Sequence, residues 1–229
     1  MAPPATQRLR IGFAHGEPVK FIGHLDALRM WHRAIRRAEI PLAYSSGFSP
    51  HPRLIFASPL PLGVTGDWEL VDVFLTERLD PDAVAERIDA QMPFGVDIRA
   101  AVDVPLGGSS LPGLLRFAEY VVLLEESMPQ ETLNAAVRRV LSAETLPRER
   151  LRDKDVRRYD LRPLIADIAA PMWREDVIRI HMRLRCDSSA AGRPEEVTAE
   201  LGFRQRPQTL HRLGLILAEA TPARGEDDV

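Results

Sequence analysis

The chain has 229 residues, 45% of them hydrophobic and 28% charged, which is ordinary for a soluble globular protein and enough to bury one sizeable core or two small ones. A formal net charge of -3 argues against indiscriminate binding to polyanions, and the one cysteine, Cys186, excludes an intramolecular disulfide, a cysteine-rich metal site and an iron–sulfur cluster held by this chain alone. The opening MAPPATQRLR lacks the charged-then-apolar pattern of a signal peptide. No stretch approaches the roughly 20 apolar residues that cross a bilayer, so a cytoplasmic protein without a membrane partner is expected.

Residues 1–7 read as a lead-in. Arg8–Ala14 alternates, with Leu9, Ile11 and Phe13 on one side, as a half-buried strand does. After a turn at Gly16–Pro18 a helix begins near His24. At 3.6 residues per turn Ala27, Leu28, Trp31, Ala34, Ile35 and Ala38 share one arc, and Arg29, Arg33, Arg36 and Arg37 share another. Pro41 ends it. Leu42–Phe48 reads as a short strand running into the turn Gly47-Phe48-Ser49-Pro50-His51-Pro52, and Arg53–Leu60 as extended chain closed by Pro59, Pro61 and Gly63. Trp68–Thr76 reads as a largely buried strand, Asp80–Met92 as a helix with Val84, Ile88 and Met92 at four-residue steps, and Val96–Val104 as a strand.

That order is β-α-β-β-α-β, the split-βαβ pattern of an antiparallel sheet with two helices on one face. The second half repeats it: a strand at Arg116–Glu125, a helix at Gln130–Ala143, strands at Arg157–Ile168 and Val177–Cys186, a helix at Pro194–Leu201 and a strand at Thr209–Ala218. The expected fold is α+β, with two tandem ferredoxin-like (split βαβ) subdomains with antiparallel sheets. Residues 1–106 and 114–220 form them, 107–113 (GGSSLPG) is the linker, and 221–229 is a loose acidic tail.

Four features carry chemistry. Arg29, Arg33, Arg36 and Arg37 lie on one helix arc with only Asp26 and Glu39 beside them, which suits an anion site such as RNA phosphates; the alternative is a solvated face paired with carboxylates from elsewhere. On Val177–Cys186, Arg179, His181, Arg183 and Arg185 alternate to one side, which suits a basic sheet face, although the aromatic residues that stack bases are missing there; the alternative is an outer strand's polar face. The Tyr44–Arg53 turn sets His51 between two prolines, with Tyr44, Ser46 and Arg53 nearby. A metal-independent ribonuclease needs a proton-transferring group and a cation, so His24, His51 and Arg53, with Tyr44, are the candidate catalytic residues; the alternative is a rigid turn. Asp160 and Arg162, with His211 and Arg212, form a further candidate polar site, or simply structural ion pairs. No phosphate-binding glycine loop, dinucleotide fingerprint or His-Glu-x-x-His is present, and no metal is expected.

The run KFIGHLDALRMWHRAIRRAEIPLAYSSGFSPHPRLIFASPLPLG, residues 20–63, resembles the signature of the radical-SAM-linked bacterial domain of unknown function. There a Phe-x-Ser-His-Leu-Asp segment leads into an arginine-rich helix, then a Ser-x-Gly-Phe-Ser-Pro-His-Pro turn and a Pro-Leu-Pro-x-Gly stop. Tyr-Asp-Leu-Arg-Pro at 159–163, Arg-Pro-Glu-Glu-Val at 193–197 and His-Arg at 211–212 also fit; Gly23 departs, where the family usually has serine. Members occur fused to, or encoded beside, a cobalamin-binding radical SAM protein, often near genes for ribosomal proteins and an RNA-degrading enzyme. The resemblance implies a partner of a radical SAM enzyme that presents RNA to it. The iron–sulfur cluster, S-adenosylmethionine and cobalamin would be carried by that partner, and none by this chain. It supplies no catalytic residues.

Overall fold

A computed structural model describes residues 3–46, 50–152 and 155–218, with backbone alone at 151, 152, 155 and 157. The tip of the expected turn, 47–49, and the expected acidic tail, 221–229, lie outside the described residues. The fold is mixed α+β, mostly antiparallel in its sheet pairing, with five α-helices among the described residues. The chain divides into two compact units, one of residues up to Leu115 together with those from Leu217, the other Arg116–Ile216.

The first unit contains strand β1 (Gln7–His15), helix α1 (His24–Arg37), strands β2 (Leu54–Phe56) and β3 (Val64–Leu75), helix α2 (Pro81–Asp89), strand β4 (Val96–Asp103) and a one-turn helix α3 (Leu111–Leu114). Its strands lie in the order β4-β1-β3-β2, each antiparallel to its neighbour. Leu9 faces Val73 and Ile11 faces Val71, and because directly opposed residues share a sheet face, these four point to one side. There α1 supplies Met30, Trp31 and Ile35, and α2 supplies Val84 and Ile88. Trp31 is fully buried, edge-on to Phe13 at 4.9 Å and to Phe56 at 5.9 Å between ring centroids. Truncating a side chain so placed costs about 3–5 kcal/mol.

Capping is shared between the helices. Asp80 accepts from the Ala83 amide at 2.9 Å and Pro81 occupies the first turn, so α2 starts with its orphan donors reduced. The end of α1 is held from outside: Glu39 turns to φ 54°, and Arg87 of α2 donates to the carbonyls of Ala38 (2.6 Å) and Glu39 (3.0 Å). On the sheet face away from the helices, Asp72 is fully buried and receives two guanidinium groups, Arg8 Nε and Arg10 Nε, each at 2.9 Å. Arg8 also donates to the carbonyls of Pro105, Gly108 and Ser109, so the glycine-rich segment after β4 is tied to β1.

Among the described residues, 42–46 of the strand expected at Leu42–Phe48 form two isolated bridges, Leu42 with Leu75 and Tyr44 with Pro52. Pro41 and Pro52 have no amide proton, so a continuous ladder cannot form across them. The extended chain of Arg53–Leu60 likewise pairs over only three residues.

The second unit runs through β5 (Leu115–Leu124), α4 (Gln130–Ser142), a separate hairpin of β6 (Pro147–Arg152) and β7 (Asp155–Asp160), β8 (Ile165–Ile168), β9 (Met172–Arg174), β10 (Val177–Arg185), α5 (Pro194–Glu200) and β11 (Thr209–Leu217). Its sheet order is β11-β5-β10-β8, with β9 pairing the start of β10. Counting the four principal strands of each unit in chain order, those of either unit lie in the order 4-1-3-2. The single strand expected at Arg157–Ile168 is broken into β7, a 3-10 turn at Arg162–Leu164 and β8. Asp160 Oδ1 accepts from the amides of Leu146 (2.7 Å) and Arg162 (2.9 Å), and Pro163 follows, so the backbone turns there instead of extending.

Candidate anion-binding site

Helix α1 buries Met30, Trp31, Ala34 and Ile35, which leaves His32, Arg33, Arg36 and Arg37 toward its outer side. Those four residues, with Ile40, Leu42, Tyr44 and Pro52, line a cavity of about 490 Å³ in the first unit. Three of the four helix arginines named from the sequence therefore meet Tyr44 of the turn. Arg29 does not join them; it pairs with Asp26 one turn back at 2.9 Å. Arg37 donates to the Gln91 carbonyl. Among the described residues Arg33 and Arg36 have neither an ion pair nor a side-chain hydrogen bond, and both are exposed.

His32 is the residue that sequence reasoning missed. Its Nε2 is buried and has no hydrogen-bond partner among the described residues. Burial lowers its pKa from the usual 6.5, and the charge of the nearby His51 lowers it further, so the imidazole rests neutral. The signal available in the sequence was its place directly before Arg33 and one turn before Arg36 on a helix already marked as basic. The turn itself is closed by the Ser45 amide donating to the His51 carbonyl (2.8 Å) and the His51 amide donating to Ser45 Oγ (3.0 Å). Ser46 is exposed beside it and is not in the cavity lining.

Of the candidate catalytic residues, His24 and Arg53 are not brought together. His24 stands edge-on to Phe56 at 5.8 Å, on the side of the sheet where Phe56 packs with Phe13 and Trp31. Arg53 lies over the Phe74 ring at 4.0 Å, and Phe74 alternates with Val73 and Leu75, whose side chains face the helices. His24 and Arg53 thus sit on opposite faces of the sheet.

The β10 arginines are differently placed. Arg183 is bound by Glu119 of β5 through Nε at 3.0 Å and Nη2 at 2.7 Å. Arg185 is held by Asp187 and Ser189. Arg179 is exposed and lowers the pKa of His181, which burial lowers first and Glu119 opposes. Asp160 and Arg162 do not clamp a common point: Asp160 caps the turn described above, and the Arg162 guanidinium donates to the carbonyls of Ile165 and Leu141, each at 2.8 Å. His211 is half-buried and Arg212 is buried, both on β11. Among the described residues no group of three or more His, Cys, Asp or Glu side chains converges as metal ligands would. No helix there is long and apolar enough to cross a membrane.

The pattern of an uncharacterized protein conserved in bacteria, DUF2344, matches residues 8–194, which is more than half of the chain and includes α1, the turn and β10. The chain belongs to that family. No curated protein matches it. Among solved structures it is similar to a chain of a Cbf5-Nop10-Gar1 complex at 11% identity and a TM-score of 0.45, covering 88% of this chain and 47% of that one. An archaeal box H/ACA sRNP Nop10-Cbf5 complex gives 12% identity and a TM-score of 0.41, with 88% and 46% covered. An unknown protein from Galdieria sulphuraria gives 14% identity and a TM-score of 0.28, with 85% and 89% covered. The chain spans about half the length of the Cbf5-complex chains it matches. TM-scores under 0.5 carry neither fold nor function from these proteins to this one.

Proposed function

We propose that the protein is a non-catalytic RNA-binding or substrate-presenting partner of a cobalamin-binding radical SAM enzyme, acting in RNA modification or maturation. The observation that carries the RNA-binding part is the α1 cavity, where two guanidinium groups without acidic partners share a lining with a buried, unpartnered imidazole nitrogen and a half-exposed tyrosine. Neighbouring cations on one helix face repel, and a phosphate between them removes that repulsion while accepting charge-assisted hydrogen bonds. Tyr44 offers a ring on which an unpaired base can stack, which suits single-stranded RNA better than a duplex. The partner enzyme is supported by the resemblance of residues 20–63 to the radical-SAM-linked domain, and it would bring the iron–sulfur cluster, S-adenosylmethionine and cobalamin. The reading of each unit as ferredoxin-like is supported by the shared 4-1-3-2 strand order.

Binding of a fluorescent single-stranded RNA, measured by anisotropy over a salt series with and without the radical SAM partner, tests the proposal. Affinity should fall with salt and should be lost in Arg33→Glu. An affinity that is unmeasurable or indifferent to salt even with the partner present would refute it.

A further inference from the structure

The second unit holds a cavity that the α1 reading does not use. It measures about 350 Å³ and gathers Arg150 and Tyr159 from the β6–β7 hairpin, Asp160 at its end, Ser189 from the loop after β10, and Arg193 and Glu196 around the start of α5. Segments at 159–163 and 193–197, Tyr-Asp-Leu-Arg-Pro and Arg-Pro-Glu-Glu-Val, thus meet at one place. That volume falls at the lower end of small-molecule sites, which run from about 300 to 1,000 Å³.

The walls are fixed independently of any ligand. Arg148 of β6 donates to the Glu196 carbonyl at 3.1 Å and pairs with Glu200 at 2.8 Å, which ties the hairpin to α5. Asp187 Oδ1 accepts from the amides of Ser189 (2.8 Å) and Ala190 (3.0 Å) and from Ser189 Oγ (2.6 Å), which sets the loop. Gly192 packs so closely that an added Cβ would lie 2.9 Å from the Leu164 carbonyl oxygen. Tyr159 hydrogen-bonds Glu196, and burial together with that bond pushes its pKa up to about 12, so the phenol remains a donor at every physiological pH.

Against this fixed frame the charges are left in an unusual state. The guanidinium groups of Arg150 and Arg193 make no ion pair or hydrogen bond among the described residues, although Asp160 and Glu196 line the same cavity. A structural salt-bridge cluster would have paired them. Two open guanidinium groups call for an anion; beside them Glu196, which accepts from Tyr159, and Asp160, whose Oδ1 accepts from the Leu146 and Arg162 amides, keep further acceptor positions for a donor or a cation.

We propose that this cavity is a second binding site, for a small ligand that carries an anionic group and a hydrogen-bond-donating or cationic group close together. Arg193 and Arg150 receive the carboxylate or phosphate, and Glu196 and Asp160 receive the donor. An α-amino acid and a nucleoside 5′-monophosphate both have this pattern; the first offers carboxylate and ammonium, the second phosphate and hydroxyl or amino groups.

Isothermal titration calorimetry of the full chain with each of the standard L-amino acids and each of the four ribonucleoside 5′-monophosphates, up to millimolar concentration, tests the site and separates the two sources. One of the two classes should give saturable binding. Arg193→Gln and Glu196→Gln should each weaken it by about tenfold, the effect of losing one hydrogen bond to a charged group. Arg193→Gln should leave the melting temperature of the free protein unchanged, since that side chain has no partner to lose, and Arg33→Glu/Arg36→Glu should leave small-ligand affinity unchanged. Absence of saturable binding by either class overturns the proposal. So does binding that is lost in Arg33→Glu/Arg36→Glu but kept in Arg193→Gln, because the ligand would then lie in the α1 cavity.

Discussion

Two rows of arginine look alike in the sequence and differ in the structure. On α1, Arg33 and Arg36 line a cavity with no acidic partner among the described residues, whereas on β10, Arg183 and Arg185 are held by Glu119 and Asp187. The difference arises from what lies next to each row. A strand inside a sheet has neighbours directly opposite every residue, and Glu119 of β5 falls opposite Arg183 in the register. The outer face of a helix has no such obligatory neighbour, so its partner must come from its own surface, as Asp26 does for Arg29, or from an element packed beside it, as Glu200 does for Arg139 of α4. A basic row on a helix is therefore the better indicator of an open anion site in this molecule.

The largest expected effect tests the α1 side. Replacing Arg33 and Arg36 by glutamine should weaken single-stranded RNA binding by roughly 25-fold at ~0.1 M salt and reduce the slope of log affinity against log salt by about 1.4, if each arginine neutralises one phosphate. Anisotropy titrations across a salt series read both.

The next effect is on pH. In the free protein His32 has a pKa below the usual 6.5, so its contribution to stability is fully present above pH 6.5 and declines as pH falls through 6.5 toward the folded value. A bound phosphate reverses the preference for the neutral ring. RNA affinity should accordingly rise several-fold between pH 7.5 and 5.5, with the free protein's melting temperature moving down over the same range; His32→Gln should flatten the affinity profile and reduce the melting-temperature slope, the remainder coming from His181. A similar rise in His32→Gln would remove that residue from the site.

Smaller effects sharpen the β10 side. Arg183→Gln should change RNA affinity less than about threefold, since its charge is already balanced, and Glu119→Gln should raise it by about twofold by releasing that charge. Chemical denaturation of Glu119→Gln should show a loss under ~1 kcal/mol, because the pair is substantially exposed.

Much of the fold was legible because its signals are local. The alternation of Leu9, Ile11 and Phe13, the arc of Trp31, Ala34 and Ile35, and the Asp80-Pro81 start each depend on neighbours a few residues away. Strand β6 was not legible, because PRERLR has the charge and lacks the apolar alternation by which a strand declares itself, whereas most of β7 fell inside the strand expected at Arg157–Ile168. The break after β7 depends on Asp160 turning back to the Leu146 amide, a contact that spacing does not reveal. For the site, the arginines and Tyr44 could be named from composition and periodicity. That His32 joins them with a buried, unpartnered nitrogen, and that His24 and Arg53 lie on opposite sheet faces, follows only from packing.

The central claim is that α1, and not β10, carries the anion site. It is tested most directly by the salt dependence of RNA binding in two charge reversals, Arg33→Glu/Arg36→Glu and Arg183→Glu/Arg185→Glu, each read against the unaltered protein with the partner enzyme present. The account predicts that the α1 reversal abolishes salt-sensitive binding while the β10 reversal leaves the slope nearly unchanged. Equal loss in both, or loss in the β10 reversal alone, would contradict it.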